Sequence, residues 1–170
     1  IRYGDRAVCG PFSFTLEHGE RLALNGKNGS GKSSLLKLIL GEDIKKTGTI
    51  SIGSGLIISY VSQDTSHLSG TLSDYASQCR IDESLFKAIL RKLDFERIQF
   101  TKDMAQFSGG QKKKVLIAKS LCEQAHLYLW DEPLNFIDIY SRMQIEQLIL
   151  YFRPTMIFVE HDRAFRETIA

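Results

Sequence analysis

Proline is scarce in this chain, three in 170 residues, and no proline-rich linker divides it. Cysteine is equally rare. Cys9, Cys79 and Cys122 are odd in number, scattered and without metal-ligand spacing, which predicts reduced thiols in a cytoplasmic protein. An excess of one charge is missing too. The 22 basic and 20 acidic residues leave a formal charge of +2, so no global attraction to nucleic acid or membrane is expected, although a local patch can act without one. No apolar run approaches the ~20 residues of a membrane-spanning helix, and no secretory leader is visible. Internal repeats and low-complexity tracts are absent. A hydrophobic content of 43% and a charged content of 25% are ordinary for a globular domain, and 170 residues suffice for one domain with a buried core. The chain opens on Ile1 inside a strand-like stretch and closes inside a helix-like one, so a domain from a longer protein is expected.

Against that background one stretch stands out. Gly26-Lys27-Asn28-Gly29-Ser30-Gly31-Lys32-Ser33 fits G-x-x-x-x-G-K-[ST], the phosphate-binding loop of nucleotide hydrolases. Glycines allow positive φ and bring backbone N–H groups against an anion. Lys32 can reach the β- and γ-phosphates as a point charge, and Ser33 offers a hydroxyl to Mg²⁺. The helix that follows points its positive end at the phosphates. The context is the required one: Arg21–Asn25 reads as a short apolar strand before the loop, and Ser34–Leu40 as an amphipathic helix stopped by Gly41.

The rest of the chain supplies further polar residues at element ends. Residues 1–25 read as all-β, with Phe12, Phe14 and Leu16 alternating with polar neighbours. Tyr3, on an edge, either packs on the core or offers its ring to a purine. Gly48–Gly53 and Leu56–Val61 read as a hairpin-like pair around Gly53-Ser54-Gly55, with Gln63 directly beyond. Residues 71–106 form a modest helical insert: helices over Thr71–Gln78 and Asp82–Leu93, the latter with Leu85, Ile89 and Leu93 on one face, then mostly loop. Ser108 and Gln111 make a capping box around Gly109 and Gly110 for a helix running to about Cys122. Lys112–Lys114 reads as a solvated face rather than a nucleic-acid patch. Leu127–Trp130 is an apolar strand ending in Asp131-Glu132, and a continuous apolar run points to a parallel sheet buried on both faces. Asp131 is placed to bind Mg²⁺, and Glu132 to face a water attacking the γ-phosphate. Asp138 caps a helix running to about Phe152, with Met143, Leu148 and Phe152 on its apolar side. Thr155–Val159 is another buried strand, closed by Glu160-His161-Asp162 on the edge where ligands bind in α/β folds.

Together these residues resemble the nucleotide-binding domain of the ATP-binding-cassette (ABC) family over nearly the whole chain. In order stand a Walker A loop (Gly26–Ser33), a Q-loop (Gln63), a signature (Phe107–Gln111), a Walker B strand (Leu127–Asp131) with Glu132, a D-loop (Leu134–Asp138) and a switch histidine (His161). The resemblance implies an α/β P-loop fold with a mostly parallel core sheet, an antiparallel β subdomain and a small helical insert, all in one domain spanning 1–170. It implies ATP and Mg²⁺ as ligands, with Tyr3, Gly26, Asn28, Gly29, Ser30, Gly31, Lys32, Ser33 and Ser34 on the nucleotide. Ser33, Gln63 and Asp131 would manage the metal, while Glu132, His161 and Gln63 would serve the chemistry. Ser108, Gly109, Gly110 and Gln111 would close the nucleotide of a second cassette packed head to tail, with Asp138 at that interface. An isolated domain would then hold half of each site, bind ATP and hydrolyse it slowly.

A subgroup is indicated as well. The short stretch from Gln63 to Ser108, the hairpin running almost directly into Gln63, the Asp131–Asn135 run and the His161-Asp162-Arg163 ending with Phe165 resemble the ABC-F proteins, cytoplasmic paired cassettes acting on ribosomes. Leu134 and Phe107, departing from the family's usual Thr and Leu, look like the second cassette of antibiotic-resistance ABC-F proteins. The implied partners are a second cassette and the ribosome, through rRNA and tRNA. The alternative is the motor subunit of a membrane transporter on the cytoplasmic face.

Overall fold

The computed structural model describes residues 1–3 and 5–170. Six short strands and six helices follow one another: β1 (Arg2–Tyr3), β2 (Arg6–Ala7), β3 (Arg21–Leu24), α1 (Lys32–Ile39), β4 (Ile58–Val61), α2 (Leu72–Cys79), α3 (Glu83–Lys92), α4 (Gly109–Cys122), β5 (Leu127–Asp131), α5 (Ile139–Phe152), β6 (Met156–Val159) and α6 (Arg163–Ile169). Two 3₁₀ turns, Arg97–Thr101 and Met104–Gln106, link α3 to α4.

The centre is a four-stranded, wholly parallel sheet in the order β3-β6-β5-β4. Strand alternation divides its side chains between two layers. Leu127, Leu129, Ile157 and Val159 pack with Leu36 and Ile39 of α1 on one face. Tyr128, Trp130, Met156 and Phe158 pack on the other, against α3, α4, α5 and α6. Both faces of β5 and β6 are therefore buried, as their unbroken apolar runs imply. A buried polar chain pins α4 to this layer: Trp130 Nε1 donates to Ser120 Oγ (2.9 Å), which lies 2.6 Å from Ser59 Oγ on β4. No helix among the described residues is long and apolar enough to cross a membrane.

Five local expectations are corrected. Phe12–Glu17 joins no ladder; Phe12 and Phe14 stack on each other, rings 6.0 Å apart, while only Leu16 turns inward. Gly48–Gly53 likewise forms no strand, because β4 takes β5 as its parallel partner rather than closing a hairpin. The antiparallel part is thus the β1–β2 pair alone among the described residues. On α3 the buried face is Phe86, Ile89 and Leu90, with Leu85 left exposed, and on α5 it is Ser141, Ile145, Leu148 and Ile149, with Met143 and Phe152 outward. Finally, Lys112–Lys114 is not a solvated face: Lys113 and Lys114 are buried, because α4 runs between the sheet and the insert and is enclosed nearly all round.

Helix ends agree better with their local sequence. Ser108 and Gln111 form the reciprocal capping box of α4, and Asp138 caps α5 by accepting the Ser141 N–H at 2.9 Å. Asp138 also pairs with Lys114 Nζ at 2.9 Å. Partial burial raises the Asp138 carboxyl, but the Ser141 bonds and the Lys114 ammonium outweigh it and bring it down to about 2. Asp138→Ala is therefore expected to cost about 1 kcal/mol in urea unfolding at pH 7, through the lost cap. Because the folded-state value is depressed, the ionised group's contribution is present above 3.8 and is lost as pH falls through about 2. Parent and variant should converge over that interval.

Candidate functional site

Parallel strands bring their carboxyl ends to one edge, and the unexplained polar residues gather there. Register pairs Leu24 with Val159, Asp131 with Val159, and Val61 with Trp130. The loop after β3, the pair ending β5, Gln63 beyond β4 and His161 beyond β6 thus share that edge.

The Gly26–Ser33 loop leads directly into α1, whose N-cap is Gly31 in the left-handed region (φ 88°). Its positive φ favours glycine, and a Cβ there would also press on Val8 Cγ1 at 3.2 Å. No side chain caps α1, which leaves its first-turn N–H groups for another acceptor. Lys32 Nζ folds back to donate to the carbonyls of Gly26 (2.8 Å) and Lys27 (2.9 Å). A hollow of about 340 Å³ adjoins Gly26 and Lys32, with Val8, Cys9, Phe12, Leu24 and Leu35 as its largely apolar wall. Tyr3 does not line it; its hydroxyl lies 2.9 Å from Ser34 Oγ, placing the half-exposed ring beside the start of α1.

Gln63 joins two motifs. Its Nε2 donates to Ser33 Oγ (3.2 Å) and to Asp131 Oδ1 (3.0 Å). Asp131 is buried, as suits the end of a core strand. A hydroxyl, a carboxylate and an amide that can turn its oxygen inward form a hard oxygen set, which suits Mg²⁺.

Glu132 follows with φ 49°, a left-handed conformation uncommon outside glycine and held by its N–H donating to Val159 O at 2.9 Å. Its Oε2 accepts from Asn135 Nδ2 (2.8 Å), and its Oε1 lies 3.2 Å from His161 Nε2. Glu132 and His161 are therefore one unit, with Glu132 the less exposed partner.

Two residues at this edge escaped sequence reasoning. Buried Glu160 accepts the N–H groups of His161 (2.8 Å), Asp162 (3.3 Å) and Leu134 (3.1 Å), tying the loop after β6 to the loop after β5. Its position, the first polar residue after an apolar strand, matches that of Asp131 and could have identified it. Buried Lys113 donates to Ser62 O at 2.8 Å and Gln63 O at 3.4 Å, and only its place in a basic triplet hid it.

The signature stretch belongs to a different surface. The side chains of Ser108 and Gln111 each accept from the other's backbone N–H, and a Cβ on Gly110 would stand 2.4 Å from the Phe136 carbonyl oxygen. Gly110 is thus required by the close approach of this chain's own 134–138 loop, whatever else it serves. None of the polar contacts of Ser108 and Gln111 reaches the Gly26–Ser34 loop among the described residues.

A parallel sheet with a phosphate loop running into an uncapped helix, and an acidic strand end beside them, defines a P-loop nucleotide-binding domain. A family model described as ABC transporter matches residues 9–135, and the chain belongs to that family, whose cassettes bind and hydrolyse ATP with Mg²⁺. It is 32% identical over 178 residues to the ATP-binding protein Uup of Caulobacter vibrioides, covering 99% of this chain and 29% of that one. It is 30% identical over 171 residues to the ribosome protection protein VmlR of Bacillus subtilis, covering 97% and 30%. An ABC transporter of metal-chelate type, solved in an inward-facing conformation, superposes with a TM-score of 0.79 at 25% identity, covering 100% of this chain and 73% of that one. The chain spans less than a third of the curated relatives it matches.

Proposed function

We propose that this chain is a cassette, the second of an ABC-F protein, and that it uses ATP to close on a partner cassette and act on the ribosome. The single observation carrying the ATP site is the bridge from Gln63 to both Ser33 and Asp131, which unites three motifs spread over a hundred residues. The ribosomal reading is supported by the relative whose name declares ribosome protection, and by the Asp131–Asn135 and His161–Phe165 runs.

In this reading the N–H groups from Gly26 to Ser34, including those of Asn28, Gly29 and Ser30, with the Lys32 ammonium, bind the phosphates. The apolar hollow takes the ribose and base, while Tyr3, outside it, meets the nucleotide from beside the start of α1. Mg²⁺ held by Ser33, Gln63 and Asp131 neutralises phosphate charge when bound. Glu132 orients a water on the γ-phosphorus and accepts its proton as the new O–P bond forms and the β–γ bridging bond breaks. His161, already against Glu132, fixes that carboxylate and contacts the γ-phosphate. Ser108 to Gln111 close the nucleotide of the partner cassette, with Asp138 nearby, so an isolated cassette turns over slowly. Residues 71–106 act as its helical insert, and the protein works in the cytoplasm as an antibiotic-resistance factor.

The test uses the full-length parent carrying Glu132→Gln, expressed in cells and lysed with ATP and Mg²⁺. Sedimentation should place it with ribosomes, and omission of ATP should release it. Recovery on washed membranes instead would overturn the ribosomal reading and favour a transporter motor.

A further inference from the structure

We propose that Lys113 is a positioning residue: from α4 it holds the backbone of the Gln63 loop, so that the helix carrying Ser108–Gln111 sets the placement of Gln63 in its own cassette. This rests on the nucleotide-site reading above. A lysine is almost never fully buried without a specific partner, yet Lys113 is 2% exposed. Its ammonium donates to two consecutive carbonyls, Ser62 at 2.8 Å and Gln63 at 3.4 Å. Gln63 is the residue whose side chain spans Ser33 and Asp131. Lys113 therefore fixes the backbone from which the bridging amide hangs.

Its surroundings also bear on its charge. Burial works against the ammonium and lowers its proton affinity, while Asp131, Glu132, Glu160 and Asp64 favour the charged form. An apolar side chain of equal length would fill the space but would leave two carbonyls without a donor.

The same helix start is gripped on its other side. Gly110 lies against the Phe136 carbonyl, and Lys114 Nζ pairs with Asp138 at 2.9 Å. The first turns of α4 thus lie between the 134–138 loop and the Gln63 loop. Closure of Ser108–Gln111 on a partner's nucleotide would then be felt at this cassette's own Gln63, through Lys113.

The test uses the full-length parent with Lys113→Met, Lys113→Arg, Gln63→Ala and the Lys113→Met/Gln63→Ala pair. A fluorescent ATP analogue is titrated with and without Mg²⁺, and kcat, KM and Tm are recorded. Lys113→Met should bind the analogue normally without Mg²⁺, lose roughly tenfold of the affinity that Mg²⁺ adds, with KM rising by a similar factor, and lose roughly tenfold in kcat. Lys113→Arg should restore most of both. Added to Gln63→Ala, Lys113→Met should change nothing further. If Lys113→Met does not fold, Lys113→Gln carries the same readouts. A lowered Tm with unchanged Mg²⁺ dependence, or additive losses in the pair, would overturn the proposal and leave Lys113 a packing residue. Lys32→Ala is the control: if it still bound the analogue normally, the nucleotide site itself would be misassigned, a failure separate from that of Lys113.

Discussion

Lys32→Ala is expected to weaken ATP binding by about a hundredfold while leaving the fold intact. A charge-assisted bond to phosphate is worth about 1.5–3 kcal/mol, and each 1.4 kcal/mol is about tenfold in affinity. The ammonium's present partners, the Gly26 and Lys27 carbonyls, are exposed, so truncation leaves them to water at little cost. Nor does Lys32 contribute to the core that anchors α1, which is built from Leu36 and Ile39. Titration calorimetry with ATP and Mg²⁺, alongside thermal unfolding, separates the two effects. Retained affinity would remove Gly26–Ser33 from the nucleotide site; a collapsed Tm would show that the loop carries fold stability that its exposed contacts do not imply.

The parts of this protein that were legible in sequence are those governed by short-range rules. The Ser108–Gln111 box, the Asp138 cap and the strand–loop–helix around Lys32 each depend on residues within a few positions of one another. The unbroken apolar run of β5 announced its two buried faces for the same reason. What failed was set at a distance. Residues 48–61 carry the alternation of a hairpin, but β4 pairs with β5, some seventy residues on, and local sequence does not state that preference. Leu85 and Phe86 are equally apolar neighbours on α3, and packing against other elements, Tyr75 of α2 among them, decides which turns inward. Lys112–Lys114 reads as a uniform basic triplet. Its three members differ because Lys113 meets the Ser62 and Gln63 carbonyls while Lys114 meets Asp138. At the site itself, the sequence offered candidate residues because phosphate, metal and attacking water each restrict the chemistry to few side chains. The pairings that orient those residues, Gln63 with Ser33 and Asp131 or Glu132 with His161, exist only once the sheet has formed.

Glu132→Gln should abolish steady-state turnover, by about 10²–10⁴-fold, while ATP affinity stays near that of the parent. The substitution preserves shape. An amide oxygen can still accept from Asn135 Nδ2, and the left-handed backbone at φ 49° is held by the N–H bond to Val159 rather than by the side chain. What is lost is a carboxylate able to take the water's proton. His161 cannot replace it, because its Nε2 faces Glu132 Oε1 and its placement follows from Glu160, which accepts the His161 N–H at 2.8 Å. With binding retained and hydrolysis stopped, a pair of cassettes should remain closed on unhydrolysed ATP. Single-turnover hydrolysis by the full-length parent measures the chemical step, and gel filtration with ATP and Mg²⁺ measures closure. Parent-like turnover would remove Glu132 from the chemistry and turn attention to His161. A slow enzyme that did not stay closed would instead assign Glu132 to hydrolysis alone and place control of closure elsewhere, at the Ser108–Gln111 surface.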